Sequence, residues 1–293
     1  LPAFVSISPS AGKGGPRNYG NSFLPSIYQG TAIGRAGSAN EAKIRNIENS
    51  MLTPTQREKR FDFLQSLNAE QAAYAQADDR MEATIKNYEL AWRMQMEAPE
   101  LTDLSRETEA TKKIYGIGEK QTTDFGKQCL LARRMVERGV RYVSVNYSDE
   151  SANPRWDQHG DMPKHAIHAK ATDKPVAGLL RDLKARGLLD DTLVWWGGEF
   201  GRTPFSQNKD GRDHNPRGFT VFLAGGGIKP GISYGSTDEI GGVAVDKRVH
   251  MHDLHATILH TLGLDHEKLT YRYAGRDFRL TDVHGQVVNE ILS

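Results

Sequence analysis

The sequence predicts an α/β fold, a mostly parallel sheet flanked by helices, with a helical cap or insertion. Three observations predict it. Short apolar runs rich in β-branched and aromatic residues, Val140–Tyr147, Thr192–Trp196 and Phe219–Leu223, read as neighbouring strands of one largely parallel sheet. Helical segments Thr122–Gly139, Asp161–Gly187 and Asp253–Leu262 alternate with them in the rhythm of such a sheet. A stretch dominated by Ala, Glu, Gln, Lys, Arg, Met and Leu, Asn40–Glu97, stands outside that rhythm and reads as two or three covering helices. The expected division is strand and loop over 1–38, the cap or insertion over 39–120 and the α/β core over 121–293.

The elements follow in order. Ala3–Ile7 is strand-like, and the Gly-, Ser-, Pro- and Asn-rich Ser8–Ala36 reads as loop. The phrase AGKGG within it lacks the spacing of a phosphate-binding loop and reads as flexible chain. Thr53 is an N-cap with Pro54 at the first helical position. Phe61, Leu64, Leu67 and Ala72, then Met81, Ile85, Leu90 and Met94, recur at helical spacing as packing positions. Pro99 breaks that pattern. Leu130, Leu131, Met135 and Val136 give the next helix its apolar stripe, and Gly139 closes it. Pro175 sits inside the following helical segment, which Gly187 ends. Asp253 is a natural N-cap for the last helix, and Gly263 closes it.

At 293 residues the chain can bury a large core. Lys and Arg number 38 against 37 Asp and Glu, a net charge of +1, which argues against a nucleic-acid or charged-membrane partner. No run of about 18 apolar residues is present, so no transmembrane helix is expected. The single cysteine, Cys129, excludes an intrachain disulfide and leaves the compartment open.

Three loop positions offer metal ligands. In Trp156-Asp157-Gln158-His159-Gly160, Asp157 and His159 lie two apart and can face one ion from extended chain; a plain surface loop is the alternative. Glu199 follows the run Thr192–Trp196 and two glycines, where ligands of open α/β sheets collect; a solvated turn carboxylate is the alternative. Asp213-His214-Asn215 precedes the last predicted strand. This mixed nitrogen and oxygen set suits Zn²⁺ first, with Mn²⁺, Ca²⁺ or Mg²⁺ as alternatives. His252 and His255, a helical turn apart, read as the polar face of a capped helix. His165 and His168 are expected to face solvent.

The ordered phrases WDQHG, DTLVWWGGEFGRTP, GRDHNPRGFTVFLAGGGIKPG, HDLHATILHTLGLDH and YAGRDFRLTDVHGQVVNEIL look like the sulfatase-like family known as domain of unknown function 1501, placed with the alkaline phosphatase-like superfamily. The match runs from about Phe125 to the C-terminus, with LPAFVSI and NSFLPSIYQG similar as well. The resemblance implies a sheet sandwiched by helices and a bimetal site at its strand ends. Asp157 and His159 resemble the first metal's Asp and His, and His214 its second histidine. Glu199 stands where the superfamily carries the Asp of an Asp-His pair. Phe200 occupies the His position there, which leaves the second metal one ligand short unless His255 supplies it.

The resemblance also implies an activity, metal-dependent hydrolysis of phosphate or sulfate esters of small molecules or polymers, and a periplasmic or secreted location. Arg202 would bind the tetrahedral oxyanion through its planar fork; an ion pair with a loop carboxylate is the alternative. No Asp lies between Leu1 and Phe61, so the family's first strand, with its metal-binding Asp and nucleophile, is expected upstream of Leu1 or on a partner chain. Glu199 is then expected to lack a full ligand set and to pair with Arg202, a nearby His or water, beside an exposed apolar edge near Thr192–Trp196. The competing expectation is a non-catalytic, metal-stabilised or partner-binding protein of the same fold. The helices of Asn40–Glu97 are a further candidate, as an assembly surface.

Overall fold

The computed structural model describes residues 1–12, 14–36, 51–74 and 79–293. The start of the predicted cap, Asn40 to residue 50, Lys13 of the AGKGG phrase and the side chain of Ala72 lie outside the described residues. The chain forms two compact units, Leu1–Arg155 with Lys170–Leu179, and Trp156–Ala169 with Leu180–Ser293. Both are mixed α/β.

The first unit is organised on β1 (Phe4–Ile7). It lies between β2 (Thr31–Ile33) and β3 (Tyr142–Val145) in a three-stranded, fully parallel sheet. Strand β2 falls in the stretch expected to be loop, because three residues bounded by glycines are too short for periodicity to register. Among the described residues, four α-helices lie wholly in this unit, α1 (Pro54–Tyr74), α2 (Asp79–Thr102), α3 (Glu109–Ile114) and α4 (Thr123–Glu137). Thr53 caps α1 through a reciprocal box: its hydroxyl accepts from Gln56 N at 3.3 Å, and its N–H donates to Gln56 Oε1 at 2.9 Å. Helix α2 runs past Pro99 to Thr102. A proline this close to a helix end costs only one ladder bond, and Thr102 Oγ1 donates to the Ala98 carbonyl at 2.9 Å. Phe61 stacks on Trp92 at 4.8 Å between centroids. Leu64 and Leu67, expected as packing positions, are exposed.

Helix α4 carries the core of this unit. Leu131 and Met135 pack with Val5, Ile7, Ile33, Leu101 and Val140. Leu130 and Cys129 pack with Tyr115 and Phe125 in a second cluster, against Val145, Tyr147, Val176 and Leu179. Its polar side is also buried. Arg133 and Arg134 each donate to Glu107 Oε1 at 2.8 Å, and Arg133 also to Glu137 at 2.6 Å. A guanidinium out of water needs such partners.

The second unit contains both ends of α5 (Lys164–Ala185) and four two-stranded antiparallel ribbons. These pair β4 (Val194–Trp196) with β7 (Phe222–Ala224), β5 (Gly201–Gln207) with β6 (Gly211–Asn215), β8 (Ser236–Thr237) with β9 (Ala244–Asp246), and β10 (Thr270–Tyr273) with β11 (Arg276–Arg279). Helix α6 (Met251–Thr261) buries Leu254, Ala256, Thr257 and Leu259. The C-terminal segment is tied to it by Gln286 N to Asp253 Oδ1 at 2.8 Å and Val288 N to Thr257 Oγ1 at 3.0 Å. The α6 N-cap is His250, not Asp253; Asp253 is the third helical residue and accepts from His250 N at 2.9 Å, closing a capping box. Gly139, Gly187 and Gly263 follow α4, α5 and α6 with φ of 83°, 69° and 75°, the left-handed closure that favours glycine.

The single largely parallel sheet is not formed. β3 joins β1 and β2, whereas β4 pairs with β7 in antiparallel sense. The physical reason lies between them. Parallel neighbours require a crossover, usually helical, and residues 197–221 instead fold into the β5–β6 ribbon with no helix. Nor is β4 buried on both faces: Trp195 and Trp196 are exposed, as is Phe222 on β7. Among the described residues, no helix is long and apolar enough to cross a membrane.

Candidate metal centre

The site is built by one loop and one ribbon, both in the second unit. The loop is Trp156–Gly160. The ribbon is β5–β6, joined by a turn at Asn208–Asp210 in which Asn208 and Lys209 have positive φ and Gly211 N donates to Asn208 O at 2.9 Å. Its register pairs Arg202 with His214 and Gln207 with Gly211, which sets each pair on a common face.

Loop and ribbon are in backbone contact. Arg212 N donates to Gln158 O at 3.2 Å. A Cβ on Gly211 would stand 1.9 Å from the His159 carbonyl oxygen, so only glycine permits this approach. Gln158 is buried, while Asp157 and His159 are half-buried and turn toward the ribbon.

Three ligand atoms converge there. Asp157 Oδ1 lies 2.9 Å from His159 Nε2 and 3.0 Å from His214 Nε2, and the two imidazole nitrogens are 3.1 Å apart. Ligands 2.0–2.1 Å from a tetrahedral ion sit about 3.3 Å from one another. Two imidazole nitrogens and a carboxylate oxygen at these separations can share a proton or hold a metal ion. Residues further out orient the set. His159 Nδ1 meets Gln207 Oε1 at 2.7 Å; with Nδ1–H donating, Nε2 is left as the ligand atom, the usual arrangement around a metal-binding histidine. The Phe200 ring lies on that of His214, 4.1 Å between centroids.

Arg202 is committed to the same cluster. Its Nη2 donates to Asp157 Oδ1 at 2.7 Å and to Trp156 O at 3.1 Å, and its Nη1 to Arg212 O at 3.3 Å. Burial of Asp157 opposes its ionisation. The hydrogen bonds from Arg202 and His214, with the charges of Arg202 and His159, outweigh that and hold the carboxyl at about 2. Asp157 is therefore ionised at neutral pH, paired with the Arg202 guanidinium.

The other two predicted ligands stand elsewhere. Glu199 is exposed in an open cleft lined by Trp195, Gly197, Gly198 and Met251. It makes no hydrogen bond or ion pair among the described residues, and the expected pairing with Arg202 does not occur because Asp157 has taken that guanidinium. His255 sits edge-on to Trp195 at 5.9 Å. Burial, then the neighbouring His252, lower its pKa. Among the described residues the Asp157–His159–His214 set is the one group with metal-ligand geometry.

Sequence reasoning missed the positioning groups. Gln207 has no signal outside the folded ribbon, and Phe200, singled out only as standing in a histidine's place, has none for its packing on His214. Asp210-Gly211 is a turn dipeptide that could have located it. His165 and His168, expected in solvent, are half-buried against Trp156 at 5.2 and 5.4 Å between ring centroids.

Residues 1–292 match the family model described as "Protein of unknown function (DUF1501)". No curated protein and no solved structure matches the chain.

Proposed function

The chain belongs to the DUF1501 family, and from that premise we propose that it is a divalent-metal-dependent hydrolase of phosphate or sulfate esters, related to the alkaline phosphatase-like superfamily. The observation that carries the metal reading is the convergence of Asp157 Oδ1, His159 Nε2 and His214 Nε2 within 3.1 Å of one another. The donor set fits Zn²⁺: two imidazoles and one carboxylate, the number of protein ligands that catalytic zinc sites use while leaving a position open. Held there, a divalent ion supplies Lewis-acid polarisation of an ester oxygen and a water acidified to near neutral pH.

The chain's own groups then have defined tasks. Gln207 keeps the His159 ring turned to the ligand position. Asp157 and Arg202 neutralise one another in the protein as it stands. An anionic ester close to Arg202 offers its planar fork a second partner, as a tetrahedral oxyanion requires. Hydrolysis at phosphorus or sulfur is the part of the reading that rests on the sequence resemblance.

A second reading, a metal-stabilised but non-catalytic protein, is favoured by two observations. Phe200 covers one face of His214, and Glu199 is not gathered into the cluster. Elemental analysis of the purified protein, paired with a panel of phosphate and sulfate esters assayed with added Zn²⁺ or Mn²⁺, separates the two. Stoichiometric metal with turnover that Asp157→Ala and His214→Ala abolish supports the hydrolase. Stoichiometric metal with no turnover on any ester supports the second reading, and no metal binding overturns both.

A further inference from the structure

Trp156 immediately precedes the ligand Asp157 and has φ +73°. For a bulky residue the left-handed region is an outlier that the surroundings must impose. Here they do. The Trp156 carbonyl oxygen accepts from Arg202 Nη2 at 3.1 Å and from His165 Nε2–H at 3.2 Å. The indole packs against His165, near perpendicular at 72°, and against His168 at 53°.

We propose that His165, at the start of α5, is a positioning residue for the metal centre, acting through the Trp156 carbonyl. The inference rests on the metal reading above and deepens it. The peptide between Trp156 and Asp157 is planar, so fixing the direction of the Trp156 oxygen fixes the direction from which the Asp157 chain departs. Two donors converge on that oxygen from different elements, Arg202 from β5 and His165 from α5. Arg202 Nη2 gives one N–H to that oxygen and the other to the Asp157 carboxylate, so His165 is the donor on the Trp156 carbonyl that does not also touch the ligand carboxylate. A carbonyl can be held only by a donor, so His165 must carry its proton on Nε2. Burial lowers the His165 pKa, with the Trp156 carbonyl acting against this and the Arg202 charge acting with it, in keeping with a neutral ring of defined tautomer.

The test compares three substitutions at residue 165 in the full chain. His165→Phe keeps a ring against Trp156 and removes the donor. His165→Gln removes the ring and returns an N–H at nearly the same reach. His165→Leu has the size of the Gln variant and no donor. Zn²⁺ affinity is read by competition with a chromophoric chelator, ligand geometry by the visible absorption of the Co²⁺-loaded protein, and folding by thermal unfolding of the metal-free protein. The expected result is a loss of about 10–100-fold in Zn²⁺ affinity for the Phe and Leu variants, the range typical of groups that orient metal ligands. The Gln variant is expected to regain most of that affinity together with the wild-type Co²⁺ spectrum. Should the Phe variant not fold, the Gln and Leu pair makes the same comparison.

Wild-type affinity in the Phe and Leu variants, with Asp157→Ala abolishing binding, would overturn the positioning role and leave the metal centre standing. Equal losses in all three variants, tracking their unfolding temperatures, would reduce His165 to a packing residue. Unchanged affinity in Asp157→Ala as well would remove the metal centre itself, and the inference with it.

Discussion

Arg202 donates to Asp157 at 2.7 Å through the same carboxylate oxygen that meets both histidines. A fixed guanidinium and an incoming metal ion therefore compete for one atom. Replacing Arg202 by Met should lower the stability of the metal-free protein by about 1.5–3 kcal/mol, the range for losing a hydrogen bond to a charged group. The same variant removes the competitor for Asp157 Oδ1 but also one of the two donors on the Trp156 carbonyl; with His165 still holding that oxygen, it should keep binding Zn²⁺, and excess metal should restore part of its unfolding temperature. Denaturant titration with and without Zn²⁺ checks both halves.

Gly211→Ala should displace the His159 backbone, since the added carbon would stand 1.9 Å from its carbonyl oxygen. Zn²⁺ binding should fall below detection. The parallel sheet of β1, β2 and β3 lies in the other unit and should keep its amide protection. Hydrogen exchange resolved by peptide would show this; uniform loss of protection would mean that the effect is global.

Gln207→Leu leaves His159 Nδ1 without the oxygen it meets at 2.7 Å. Zn²⁺ affinity should drop about 10–100-fold, and Gln207→Glu should retain it, because carboxylates serve the same orienting role.

Glu107→Ala removes the carboxylate shared by Arg133 and Arg134. Breaking a buried ion pair from one side typically costs about 3–5 kcal/mol, and Arg133 keeps Glu137, which puts the expected loss at the lower end. Chemical denaturation followed by far-ultraviolet circular dichroism measures it.

Burial, then the adjacent His252, depress the His255 pKa below its ordinary 6.5. A histidine depressed in the folded state binds fewer protons there than when unfolded. Its contribution to stability is therefore complete above about pH 6.5 and is lost as pH falls through the lower folded value. Unfolding temperature should decline between pH 7 and pH 5, and His255→Phe should flatten that decline.

Helix ends were legible where they carry a local signal, whereas α3, the run of α2 past Pro99 and the His250 cap of α6 were not. Thr53-Pro54 at one start and Gly139, Gly187 and Gly263 at three ends act within a turn of chain. The first site was legible for a related reason: Asp157 and His159 are two apart, and His214 stands beside another acid. Pairing sense was not legible. Three-residue strands such as β4 and β7 hold no record of their partner, and what decided it was the ribbon folded between them. Glu199 was drawn into the ligand set by its place after a strand-like run and two glycines, and His255 by resemblance, and the geometry of Asp157, His159 and His214 includes neither. His165 was passed over because a lone histidine on a helix says nothing of a carbonyl nine residues earlier.

The turn at Asn208–Asp210 is the tip of the β5–β6 ribbon, and it is also a ruler. Side chains alternate along a strand, and the ribbon takes up one register shift between Arg202 and Ser206; with that shift in place, removing or adding a single residue at the tip would swing His214 to the opposite face of the ribbon while Arg202 stayed put. The tip can thus accept changes of residue type at Asp210, whose side chain is exposed, and at Lys209 those that its φ of 43° tolerates, but not a change of one in length. Natural variants of this chain should vary in composition at Asp210, favour Gly, Asn or Asp at Lys209 where it changes, and keep a constant residue count between Arg202 and His214.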